Sequence, residues 1–159
     1  MAFKISNEIR NEEKNKNKAN YYKKSYSGER EVVSVERSGY CFITTAACIA
    51  LNDKKDCKQL NELRWFRDKH ISDGGVGDLL ISEYYRIGPI IVSMIEKDWN
   101  PIAIYSMLWN LYIEPSCEAI RKHKWALAKN IYIDMVKQLC EKYKIVVDSE
   151  IAIYYDIKS

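Results

Sequence analysis

Cys41-Phe42-Ile43-Thr44-Thr45-Ala46-Ala47-Cys48 is an apolar run that carries two thiols and two hydroxyls. Read as a helix, it places Cys41, Thr44, Thr45 and Cys48 at i, i+3, i+4 and i+7, on one face. Phe42, Ile43, Ala46 and Ala47 cover the rest of its surface. Such a helix is either buried against a polar partner or lines a site. The ends of the stripe cannot be joined to each other. At ~1.5 Å per residue they lie about 10.5 Å apart, and a disulfide needs Cα atoms within ~7 Å.

Outward from this run the pattern stays helical. Asn52-Asp53 ends the first helix, and Asp56 is an N-cap for a second, Cys57 to His70. Leu60, Leu63 and Phe66 form its apolar stripe, with Trp65 beside it. Arg64 and Asp68 can pair at i, i+4, and Arg67 can reach the hydroxyl stripe or a Tyr. Thr44, Thr45, Cys48, Arg64, Arg67 and Asp68 are therefore expected to form a buried polar seam or an anion clamp. Ser72 to Gly77 is Gly-rich, but it matches no nucleotide-binding loop and reads as a turn. Asp78 can cap a long helix through Ile95, with a kink or restart predicted at Gly88-Pro89. Asn100-Pro101 starts another helix, to about Ile113, and Glu114-Pro115 starts the next. Residues 125–143 form the last, with Ala128, Ile131, Tyr132, Met135, Leu139 and Tyr143 on one side.

The period then changes. Ile151, Ile153, Tyr155 and Ile157 alternate with more polar neighbours, which predicts a strand. Its partner would be residues 145–147 or the β-branched stretch near 31–36. The expected fold is mainly α, a single-domain irregular bundle of five or six helices with a minor β element from the C-terminal tail. Three segments are expected: a basic polar extension at 1–30, a helical domain at 31–144, and a strand-like extension at 145–159.

Net charge is +3 over 159 residues. Residues 1–30 hold eight basic and four acidic side chains, so the remainder is close to neutral. The folded part has no field to attract nucleic acid. The five Cys are irregularly spaced without a CxxC, and His70 and His123 are not spaced from them as metal ligands. No metal and no cofactor are expected, and reduced thiols in a cytoplasmic protein are the plain reading. No secretory leader is recognised, and no apolar run is long enough to span a membrane. The bias to Lys, Asn, Ile and Tyr is typical of AT-rich bacterial coding.

Cys41-Phe42-Ile43-Thr44-Thr45-Ala46, Leu63-Arg64-Trp65-Phe66-Arg67-Asp68 and Tyr84-Tyr85-Arg86-Ile87-Gly88-Pro89, in that order, resemble the bacterial CFI-box domain over residues 41–143. The resemblance implies a compact helical module, often C-terminal in otherwise varied proteins. It favours interaction or assembly over metabolism.

Three functions are compatible with these residues. The first is a non-catalytic protein-interaction module, an adaptor or inhibitor, for instance in phage–host conflict. Its partner would be another protein. Contacts would come from Tyr21, Tyr22, Lys23, Lys24, Tyr84 and Tyr85, and the C-terminal strand could also pair two copies of the chain. The second is a cysteine-dependent enzyme or modified-cysteine protein acting through Cys41, near a helix N-terminus that favours thiolate. His70 could be its base and Asp68 the orienting group, but two residues apart on one helix they do not share a face. The third is weak nucleic-acid binding through the basic N-terminal segment.

Overall fold

The first turns of helix α1, Phe42–Asn52, are enclosed by other helices. The computed structural model describes residues 41–52 and 57–155, which fall in the unit Arg37–Ser159. The expected extension at 1–30, the strand near 31–36 and the Asp56 cap lie outside them. Among the described residues the protein is mainly helical, with no strand. Phe42, Ile43, Thr44, Thr45, Ala47 and Cys48 are all buried. An isolated segment so rich in β-branched residues is a weak helix; burial holds it. It packs on α2 (Lys58–Phe66), α3 (Val76–Glu96) and α4 (Pro101–Leu108).

Helix α2 buries Leu60, Leu63 and Phe66, the predicted stripe. It continues to Ile71 as a wider π-helical turn, Arg67–Ile71. Cys57 stands at its N-terminus and is bonded to Cys48, with Cα atoms 6.4 Å apart. This corrects the expectation that all thiols are reduced. The spacing carried no motif, but the end of one helix and the start of the next bring the two sulfurs together.

Helix α3 continues through Gly88-Pro89, so the restart that was one of the two expectations there does not occur. Gly88 explains why α1 can lie so close to it. A Cβ there would stand 2.8 Å from Cδ2 of Phe42. At the start of α3, Asp73 does most of the capping expected of Asp78. Its carboxylate accepts N–H bonds from Gly75 at 2.8 Å and Gly77 at 3.0 Å. Asp78 accepts from the Ser72 hydroxyl and the Gly74 N–H. Gly77 is required sterically, since a Cβ would fall 1.7 Å from the Ile71 carbonyl oxygen.

Asn100 caps α4 as predicted, accepting the Ala103 N–H at 3.1 Å. A π-helical turn, Trp109–Ile113, joins α4 to α5, Glu114–Arg121. Helix α6, Trp125–Tyr143, has the predicted bounds and ends at Lys144 in the left-handed region. It packs on α5 and α3. Arg121 on α5 forks onto Glu62 of α2 and also pairs with Glu114.

The tail is the main correction. Ser149–Ala152 is a helical turn, α7, followed by a 3-10 turn, Ile153–Tyr155, where a strand was expected. Ile151 and Tyr155 are buried while Ile153 is exposed. An alternating pattern at 151, 153 and 155 contains an i, i+4 pair, so the same apolar residues also serve a helix. Asp148 selects the helix by accepting the Glu150 N–H at 2.9 Å. The tail is then clasped to α3. Buried Glu83 accepts the Asp148 N–H at 2.9 Å and pairs with Arg86, which donates to the Val146 carbonyl at 2.8 Å.

Arg86 is the main reason the Glu83 carboxyl titrates below its usual range. A lowered carboxyl pKa contributes stability above the unfolded pKa and loses it as pH falls through the folded one. Glu83→Gln should therefore cost about 2 kcal/mol at neutral pH, and the deficit should shrink toward about pH 3. Thermal melts of both proteins across that range check this, and a pH-independent deficit would refute the clasp.

Candidate functional site

The three family-like motifs meet at the N-terminus of α1. The Cys41 carbonyl accepts the Thr45 N–H at 2.8 Å, so Cys41 is the residue that opens the helix. Helix-opening amides lack partners within the helix, and here water is excluded. The Tyr84 hydroxyl fills the gap by accepting the Ile43 N–H at 3.1 Å. Tyr84 in turn bonds Tyr132 at 3.1 Å, and Tyr132 bonds Thr44 Oγ1 at 3.3 Å. The circuit ties α1, α3 and α6 together. Burial pushes both phenols above their ordinary range, so they act as neutral hydrogen-bonding groups.

Only part of the expected seam forms this way. Thr44 bonds Tyr132 and Cys48 bonds Cys57. Thr45 Oγ1 is buried and has no hydrogen-bond partner among the described residues. Arg67 donates to Asp68 at 2.7 Å through Nε and to Cys41 Sγ at 3.9 Å through Nη1. Arg64 is half-buried and adds positive potential at Cys41. Tyr84, expected on the partner surface, is inside. Tyr85 is half-buried, edge-on to Phe42 at 6.0 Å. Tyr21, Tyr22, Lys23 and Lys24 lie outside the described residues.

Cys41 has the setting of a structural thiol. Desolvation raises its pKa, and the favourable fields of Arg67 and Arg64 do not reverse this. His70, the candidate base, instead stacks on Trp125 with ring centroids 4.0 Å apart. A protonated thiol without that base is a poor nucleophile.

Beside Cys41 lies a cavity of about 70 Å³. Leu63, Phe66, Leu80 and Val136 supply much of its wall, and Cys41, Arg67, Tyr84 and Tyr132 border it almost wholly through apolar atoms. Lys129 and Tyr155 also line it. Sequence reading had no signal for the cavity, because its walls come from elements far apart in the chain.

A second cluster lies where the end of α2 meets the start of α6. Trp125 stacks with His70 and contacts Trp65 at 5.9 Å and His123 at 5.1 Å. Both histidines of the chain thus lie against one indole. Trp65 remains 47% exposed. Lys69, Lys122 and Lys124 are exposed in the same segments, and Lys69 and Lys124 form no ion pair among the described residues. His123 has a positive φ of 55°, which turns the chain between α5 and α6.

Compared with known proteins, the chain matches no family model, no curated protein and no solved structure.

Two tests address the interior. Tyr84→Phe keeps the ring but orphans the Ile43 amide, so it should cost about 1–3 kcal/mol in chemical denaturation. A loss below a few tenths would show that the amide finds another acceptor. Thiol titration in denaturant without reductant should count three groups, Cys41, Cys117 and Cys140. In the native protein Cys41 should alkylate at least about tenfold more slowly at neutral pH than after unfolding.

Proposed function

We propose that this domain is a non-catalytic protein-interaction module whose contact surface is the Trp65–Trp125 cluster. The observation that carries the reading is Trp65, an indole left 47% exposed on a packed aromatic base. Half-buried Trp clusters are the usual anchors of protein interfaces. The fringe of Lys69, Lys122 and Lys124 favours an acidic segment of the partner, with one apolar side chain set against Trp65. An adaptor or inhibitor role, for instance in phage–host conflict, fits a surface that recognises without transforming.

Membership of the CFI-box family and a cytoplasmic setting are parts of the same proposal. The three motifs supporting the family resemblance pack around one helix start, as parts of one module should. In a reducing cytoplasm the Cys48–Cys57 pair would exchange with the thiol pool. The Cys41 enzyme is the weaker reading, since burial keeps its thiol protonated. Nucleic-acid binding would rest on residues 14–30, outside the described residues. Pairing of copies through a C-terminal strand does not enter the proposal, because Ser149–Tyr155 is helical.

The test is a pull-down from the native host with wild type, Trp65→Ala combined with Lys124→Glu, and Cys41→Ser. The surface variant should lose the captured protein, and the loss should be reproduced by raising salt. Cys41→Ser should retain it. Retention by the surface variant, or loss with Cys41→Ser alone, would overturn the proposal.

A further inference from the structure

From Trp99 to Ile113 the chain carries no charged side chain. This run makes α4 and the π-helical turn that extends it. Its inner side is filled by Tyr105, Leu108 and Ile113, all buried. Its outer side is nearly as apolar. Ile102, Met107 and Leu111 are exposed there, and Trp99, just before the helix, is 91% exposed. Ala103 is exposed between them. Helix α6, by contrast, turns Asp134 and Glu141 to the outside. A helix that is apolar on every side is normally covered on every side.

The face fits a copy of itself. A two-fold axis sets one patch against the same patch, so any charge near the axis would meet its like. Here there is none. Ala103, Met107 and Leu111 lie at i, i+4 and i+8, along one side of the helix. In an antiparallel pair centred at position 105, Ala103 stands opposite Met107 of the second copy, and Trp99 opposite its Leu111. Both pairings close at this one register. The first sets a large side chain on a small one, and Ser106 beside the axis lets the backbones approach. Antiparallel helices also oppose their dipoles. At the ends of the seam the acidic groups are already neutralised within each copy, Asp98 by Lys142 at 3.1 Å and Glu114 by Arg121 at 2.8 Å.

The area is sufficient. At ~150–250 Å² for a large aromatic side chain, Trp99 and its aliphatic neighbours offer roughly 500 Å² per copy. Two copies then cover about 1,000 Å², the lower bound for a specific interface.

We propose that α4 is the seam of a two-fold dimer, in which this face packs antiparallel on the same face of a second copy of the chain. Trp99 and Leu111 close its two ends and Ala103 and Met107 its middle. The interface lies on other elements than the Trp65–Trp125 cluster and does not rest on the role assigned to that cluster. An area at the low end of the range makes the dimer a micromolar one, populated according to concentration.

The experiment is analytical ultracentrifugation of the full chain from about 1 to 500 µM, a range that brackets micromolar association. The wild type should shift from monomer toward dimer mass across this range. Met107→Glu and Ala103→Lys, both at exposed positions, should each weaken self-association at least about tenfold while helical circular dichroism stays unchanged. Mixing the two variants should restore dimers to within about threefold of the wild type, because each mixed pair sets the new ammonium against the new carboxylate across the axis. Trp65→Ala should leave association unchanged. A monomer throughout the range would overturn the proposal. So would undiminished association of folded Met107→Glu, failure of the mixture to recover, or loss of the dimer with Trp65→Ala.

Discussion

A helix that begins inside a protein creates a demand that water cannot meet. The Ile43 amide is such a group, at the first turn of a helix buried on nearly every side. The Tyr84 hydroxyl answers it, and being buried itself, that hydroxyl needs Tyr132. Tyr132 then finds Thr44, back on the helix where the chain of bonds began. Each bond contributes about 1 kcal/mol net, but leaving one of these atoms unpaired costs more than any single bond contributes. The circuit therefore dictates how α1, α3 and α6 are set against one another.

Steric constraint reinforces the same arrangement. Phe42 lies where a side chain at Gly88 would have to be, so α1 and α3 approach at one register only. Arg67 arrives from α2 with its charge directed both to Asp68 and to the Cys41 sulfur. The residues that resemble a family motif thus have separate physical tasks at one place: an amide cap, a ring-to-glycine contact and a guanidinium beside a thiol. None of the three requires a reaction. The desolvation that makes the circuit strong is also what keeps the thiol protonated.

Much of the helix pattern was legible because it depends on local chemistry. Asn100-Pro101 starts α4 through a cap that reaches only three residues ahead. The bounds of α6 follow from its apolar period. The tail was misread because positions 151 and 155 belong equally to a period of two and to a helical turn, and Asp148 decided between them. The Cys48–Cys57 bond was missed because no motif marks two sulfurs joined across a helix junction.

For the site, the sequence determined which groups would be in short supply of partners: two thiols and two hydroxyls on one apolar helix, and charges clustered at Arg64, Arg67 and Asp68. It could not determine which partner each would obtain. Tyr132 is 88 residues from Thr44, and Tyr84 is 41 from Ile43. His70 was placed two residues from Asp68 by the chain and against Trp125 by the fold. Composition and period report the backbone's local preferences and the total polar demand of a segment. The pairing that meets that demand, the cavity left beside it and the indole left exposed depend on how distant helices pack, and only the tertiary structure decided them.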